Sequence, residues 1–177
     1  MDALGVMLEE HGIILMTINV LNDAAEKLQA GGKLPPEFFE KALYIIRNFA
    51  DKCHHGKEET VLFPLFNKPG KPASRIIVSF LEDHEKGRAF VRALSEAVAR
   101  KDNGGIIKNA KGYAGLLPKH IKRENEIFPK WIGSLSEQTK EEVFEEFEKI
   151  EEEVIGLGKH HEYIRNIEGL KNSLGKK

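Results

Sequence analysis

The sequence of 177 residues lacks the features that mark several common classes of protein. Its single cysteine, Cys53, excludes an internal disulfide and is typical of a reducing compartment. No uninterrupted hydrophobic run approaches the about 18 residues of a membrane span, and no basic segment resembling a secretion signal begins the chain. We therefore expect a cytoplasmic protein that does not enter a membrane.

The sequence has no excess of positive or of negative charge. The 27 Lys and Arg residues stand against 28 Asp and Glu residues, so no overall field draws the protein to nucleic acid. Strand-like alternation, a phosphate-cradling glycine loop and zinc-type cysteine spacing are also missing. Hydrophobic residues make up 41% of the chain, which is enough for one well-buried core.

What the sequence does contain is apolar residues spaced three and four apart, the pattern of helices that bury one face. Four such stretches precede residue 134, separated by glycine- and proline-rich breaks. We predict an all-α fold: an antiparallel up-and-down four-helix bundle over residues 1–133, with additional C-terminal helices over residues 134–177 that pack on it. The acidic run at residues 151–153 predicts an exposed helix face.

Two stretches of the predicted bundle resemble each other, and each has a histidine four residues before a glutamate. The first pair is His54 and Glu58, the second is His120 and Glu124, and a Phe-Pro dipeptide follows each pair. Residues four apart share a helix face, so an imidazole and a carboxylate can reach the same metal ion. Two such pairs indicate a two-metal site.

The remaining two core helices each carry a histidine on the apolar face, His11 and His84. A buried carboxylate or imidazole destabilises the fold unless it is paired, hydrogen-bonded or bound to metal. Metal ligation explains all six groups together. A polar core without metal would require the six groups to satisfy one another.

These residues resemble the hemerythrin-like, HHE cation-binding domain family, over about residues 1–131. The resemblance implies a non-haem di-iron centre with Glu58 and Glu124 as bridging carboxylates. The terminal ligands that it implies are His11, His54, His84 and His120. It further implies a protein that binds oxygen or a related small ligand, for binding, sensing or delivery.

One departure concerns the third helix, where Arg88 stands at the place of a second histidine that the family's oxygen carriers have four residues after His84. The missing imidazole leaves either an exchangeable position or a substitute ligand from the tail, His160 or His161. An exchangeable position also favours an alternative function: an enzyme that handles peroxide or nitric oxide, or an iron-donating repair protein.

A second departure concerns the first pair. The distance from histidine to Phe-Pro is one residue longer in the first stretch than in the second, so an alignment on Phe-Pro selects His55 and Glu59. The periodicity of the apolar residues favours His54 and Glu58 instead. The predicted metal ligands are His11, His54, Glu58, His84, His120, Glu124 and His160.

Two further residues lie near the predicted site. Gly87, nearly one turn after His84, either makes room for an incoming ligand or permits close helix packing. Tyr113, on the same face as His120, either donates a hydrogen bond to a bound species or is a core aromatic.

Overall fold

The computed structural model describes residues 2–175, and every regular element in that part of the chain is a helix. The all-α prediction is therefore confirmed. The six helices are α1 (Ala3–Gln29), α2 (residues 38–66), α3 (Pro72–Ala99), α4 (Asn103–Gly133), α5 (Glu137–Val154) and α6 (His160–Ser173).

Local chemistry sets several of the helix ends. The Asp2 carboxylate accepts a hydrogen bond from the Gly5 N–H and caps α1, and the Ser136 hydroxyl accepts one from the Thr139 N–H and caps α5. Gly31 follows α1 with a φ of 79°, a conformation that glycine adopts without strain. These caps satisfy N–H groups that have no partner within their own helix.

Helix α2 changes type along its length. It is α-helical over Phe38–Ile45, becomes a π-helix over Ile46–His55 and again over Glu58–Leu62, and ends as an α-helix over Phe63–Phe66. Hydrogen bonds of a π-helix span five residues instead of four, so each turn takes up about one more residue. The widened turns change which side chains face the interior.

Helix α4 packs along both α1 and α3. Arg123, in its second half, donates a hydrogen bond to Asp83 of α3 (2.9 Å), whereas Gly105, near its start, lies against Ala97 at the end of α3. The two helices therefore run in opposite directions.

Helix α1 also runs opposite to α4, since His11 contacts Asn125 and Gln29 contacts Lys111. By length and composition alone α1 is apolar enough to cross a membrane, but 56% of its most apolar window is buried within the protein. Burial of this kind is typical of a core helix. The expectation that the chain does not enter a membrane stays a prediction.

The apolar core consists of two layers with a polar layer between them. The larger apolar layer includes Leu21 and Leu94, and the smaller one includes Met7 and Phe80. Along each of α1 to α4, at least one buried histidine or glutamate lies between the segments that belong to the two layers. The polar layer is thus closed off from water on two sides.

Helices α5 and α6 pack on this bundle at different layers. Phe147 of α5 belongs to the smaller apolar layer, and Ile167 of α6 belongs to the larger one. Together α5 and α6, the C-terminal extension, therefore span the level of the polar layer that lies between the two apolar layers. This position allows its polar residues to reach the centre of the bundle.

Candidate metal centre

Two carboxylates, Glu58 of α2 and Glu124 of α4, lie at the centre of the polar layer. Both are 0% exposed, and within residues 2–175 no group forms a well-aligned hydrogen bond with their carboxylate oxygens, although histidine Nε2 atoms lie 2.9–3.3 Å away. Two adjacent carboxylates in a dry interior require compensating positive charge. The pair therefore fits a site for cations.

One group of donors, which we call site A, consists of His11, His54, Glu58 and Glu124. The His54 Nε2 atom is 3.2 Å from Glu58 Oε1, and the His11 Nε2 atom is 3.3 Å from Glu124 Oε2. One donor atom from each of the four residues lies within 4.8 Å of the others. A single metal ion can contact all four at this spacing.

A second group, site B, consists of His55, Glu58, His84 and His120. The His84 Nε2 atom is 3.2 Å from Glu58 Oε2 and 3.0 Å from His120 Nε2. The His120 Nε2 atom is also 2.9 Å from Glu124 Oε1. Three imidazoles thus converge on the side of the carboxylates that faces away from site A.

The two carboxylates connect the sites. Glu58 turns Oε1 to site A and Oε2 to site B, whereas Glu124 turns Oε2 to site A and Oε1 to site B. Each therefore presents one oxygen to each group of histidines, which is what a carboxylate bridge requires. Imidazole nitrogen combined with carboxylate oxygen is a donor set that suits iron.

The Nδ1 atom of each histidine in the two sites faces an oxygen acceptor on its outer side. The acceptors are Asn125 for His11 (2.7 Å), Glu10 for His54 (2.9 Å), Asp51 for His55 (3.3 Å), Glu59 for His84 (2.7 Å) and, at a longer 3.7 Å, Asp83 for His120. The oxygens of Asn125, Glu10, Asp51 and Glu59 lie close enough to accept a hydrogen bond from Nδ1–H, which leaves Nε2 of those four rings available to a metal ion. Acceptors of this kind orient metal-binding imidazoles and increase their basicity.

Both His54 and His55 reach the centre, although the sequence presented them as alternatives. His54 belongs to site A and His55 to site B. The π-helical turns of α2 explain this, because more residues per turn reduce the angle between neighbouring side chains. The longer spacing from His54 to Phe-Pro was the signal: one extra residue inside a helix is what a π-turn accommodates.

Arg88 does not contact the donors directly. Its Nε donates to Asp51 and its Nη2 donates to Glu59, each at 2.8 Å, and its Nη1 donates to Glu85. Asp51 and Glu59 are the acceptors of His55 and His84. Arg88 thus orders the surroundings of site B, where His55 is the third imidazole beside His84 and His120.

His160 lies outside both sites. Its Nε2 atom is 3.5 Å from Glu10 and 3.3 Å from Glu151, and the fully buried Lys57 ammonium contacts the same two carboxylates. Glu10, Glu151 and His160 form a third group of possible donors, whose donor atoms lie within 4.8 Å of one another, and Lys57 supplies a positive charge to it. His161 is exposed. The structure therefore does not bring either tail histidine to Glu58 and Glu124.

Three members of this network are not among the residues predicted from the sequence, namely Glu10, Lys57 and Glu151. Glu10 and Lys57 fall on the inward faces of α1 and α2, so the periodicity contained the signal. Glu151 is 9% exposed, which corrects the expectation that the acidic run lies wholly on the surface. Residues 152 and 153 are exposed as expected.

The protonation equilibria of the centre show how strongly its charges depend on one another. Burial raises the pKa of Glu58, but nearby imidazoles outweigh burial and hold that pKa well below its ordinary value. Burial lowers the pKa of His11 and His84, yet the carboxylates raise these pKa values to about 10 and about 11. The carboxylates thus require positive charge, from protons or from metal ions.

The fold and these donors define a helical-bundle protein with a buried cation-binding centre of histidines and glutamates. The family described as Hemerythrin, with its HHE cation binding domain, matches residues 2–132, and the chain belongs to this family. No curated protein and no solved structure matches the chain.

Proposed function

We propose that the chain binds two iron ions, one at site A and one at site B, and through them binds dioxygen or a related small ligand reversibly. The supporting observation is that Glu58 and Glu124 are buried without well-aligned hydrogen bonds, each with one oxygen toward each site. Bound there, an iron pair would supply the positions and the electrons for ligand binding.

The two sites differ in their donors, and this difference favours ligand binding at one of them. Site A has two imidazoles, His11 and His54, whereas site B has three. With the carboxylates shared, site A keeps more room for an exchangeable ligand. The apolar layers on either side of the centre exclude water from it. On the side of site A, the ring of His11 stacks on that of Phe128, with 6.1 Å between the ring centroids.

The first test is metal content. We expect about two iron atoms per chain in protein purified without oxygen, measured by inductively coupled plasma mass spectrometry. Glu58→Ala and Glu124→Ala each remove a bridge and are expected to lose the pair, whereas the exposed His161→Ala serves as the control. Retention of both metals in either glutamate variant rejects the bridging roles.

The second test separates binding from turnover. A reversible carrier or sensor shows an absorption band that appears with oxygen and disappears when oxygen is removed. The enzymatic alternative was favoured by a missing imidazole, and His55 supplies one at site B. Sustained consumption of peroxide or nitric oxide would nevertheless overturn the proposal of reversible binding.

A further inference from the structure

A cavity of about 560 Å³ lies between α2 and α3, next to the metal centre. Its volume is in the range of small-molecule binding sites. His55 of site B forms part of its wall, as do Gly87 of α3 and Tyr113 of α4. An occupant of the cavity would therefore lie beside the metal centre.

The cavity wall carries an excess of positive charge. Its cationic residues are Arg47, Lys52, Arg88 and Arg92, and its acidic residues are Glu40 and Asp51. Arg88 is engaged by its carboxylate partners, whereas the other three cations are exposed and form no ion pair with any carboxylate in residues 2–175. Unpaired cations around a concave surface attract anions.

Gly87 contributes room to the cavity. A Cβ at this position would lie 3.6 Å from Leu117 and Tyr113, an ordinary contact distance, so close helix packing does not require glycine here. Alanine would also stabilise the helix better than glycine. Of the two explanations for a glycine here, close helix packing and room for a ligand, the structure therefore favours room for a ligand.

Tyr113 adds a polar group to the same wall. Its side chain is 3% exposed, and within residues 2–175 no group forms a hydrogen bond with its hydroxyl. Burial and the Asp51 carboxylate raise the pKa of Tyr113, so the phenol stays protonated. A protonated hydroxyl without a partner can donate a hydrogen bond to an anion.

We propose that this cavity binds a small organic anion with a carboxylate or phosphate group, beside the metal centre. Arg47 and Arg92 attract the charged group of the anion, and the side chains of Tyr44, Ile46 and Val91 contact its apolar part. The proposal depends on the cavity alone and holds whether or not the centre binds dioxygen.

The first experiment compares ligands on the metal-loaded protein by isothermal titration calorimetry at low ionic strength. Benzoate tests a carboxylate, phenyl phosphate tests a phosphate, and benzyl alcohol is the neutral analogue. We expect at least one anion to bind about tenfold or more tightly than the alcohol, with an affinity that falls as salt is added. The absence of binding by both anions, or equal binding of the alcohol, overturns the proposal.

The second experiment changes the cavity while leaving the ligands of the metal centre in place. Arg47→Glu combined with Arg92→Glu is expected to weaken anion binding by about tenfold or more, whereas Arg75→Glu, an exposed arginine elsewhere on α3, is the matched control. An unchanged affinity in the double variant shows that the anion binds elsewhere, for instance directly on the metal, and rejects the cavity.

A steric variant gives an independent readout. Gly87→Ala is expected to raise the thermal stability and to weaken anion binding. The control is Gly115→Ala, at an exposed glycine of α4 where an added Cβ would meet no neighbouring group within 4 Å. It is expected to raise the thermal stability without affecting anion binding. Equal anion affinity in the two variants contradicts the proposal. Iron content and oxygenation, measured on the same samples, report separately on the proposed function.

Discussion

At the scale of single residues, the centre depends on the groups behind the histidines as much as on the histidines. Asp51 and Glu59 orient His55 and His84, and Arg88 holds both carboxylates at 2.8 Å. A carboxylate that is held by a cation stays ionised and in place. Arg88 is therefore a positioning residue for two of the three imidazoles of site B.

Arg88→Ala is expected to weaken metal binding at site B by about 10–100-fold, because its carboxylate partners lose their anchor and the imidazoles lose their orientation. Competition with a metal chelator measures the effect. Arg75→Ala, at an exposed arginine near the start of α3 and outside the cavity, is the control. If Arg88→Ala binds both metal ions as tightly as the unchanged protein, the positioning role is rejected.

The raised pKa values of His11 and His84, about 10 and about 11, predict how metal affinity depends on pH. In the metal-free protein both side chains are imidazolium ions near neutral pH, with a proton on each ring nitrogen. A metal ion must displace one of these two protons from each ring before the nitrogen can bind it. Affinity for manganese(II) is therefore expected to increase between about pH 6 and pH 9, with release of protons. Calorimetry in buffers of different ionisation enthalpy counts the protons, and an affinity that is independent of pH would contradict the prediction.

At the scale of elements, α2 determines the composition of the centre. An unbroken α-helix separates neighbouring residues by about 100°, so it could bring only one of His54 and His55 to a single centre. The π-helical segment Ile46–His55 brings both, and the segment Glu58–Leu62 follows with Glu58, which turns one carboxylate oxygen to each site. One helix thus serves both sites.

The variant His55→Ala tests the role of the π-helix. We expect its iron content to fall from about two atoms per chain toward one, because site B loses one of three imidazoles while site A keeps its donors. His161→Ala controls for the loss of a histidine at the surface. Unchanged iron content together with an unchanged spectrum would exclude His55 from the ligands.

At the scale of the whole molecule, the C-terminal helices are connected to the centre through charge. Glu151 of α5 and His160 of α6 meet Lys57 and Glu10, and Glu10 accepts a hydrogen bond from His54 of site A. The matched family domain ends at residue 132, so this connection lies partly outside it. Movement of the extension would act directly on the surroundings of site A.

Lys57→Ala is expected to lower the free energy of unfolding by about 3–5 kcal/mol, because it leaves the buried Glu10 carboxylate without its closest cation. Urea unfolding at equal metal content measures this loss. The exposed Lys52→Ala on the same helix should change stability by no more than about 0.5 kcal/mol. A loss below about 1 kcal/mol for Lys57→Ala would mean that other groups replace the lysine.

Much of the fold and of the donor set could be predicted from the sequence, because those features depend on local periodicity. Apolar residues three and four apart indicate helices, and a histidine four residues before a glutamate puts both on one face, as with His120 and Glu124. The buried positions of His11, His54, Glu58 and His84 follow the same pattern.

The tertiary structure alone decided how these groups combine. That both His54 and His55 face the centre depends on the π-helical turns of α2, which the periodicity of the apolar residues does not predict. The place of His160 depends on where α6 docks, because its contact with Glu10 joins residues 150 positions apart in the chain. Periodicity determines which face of a helix is buried, but only the packing of helices against one another determines which charges meet there.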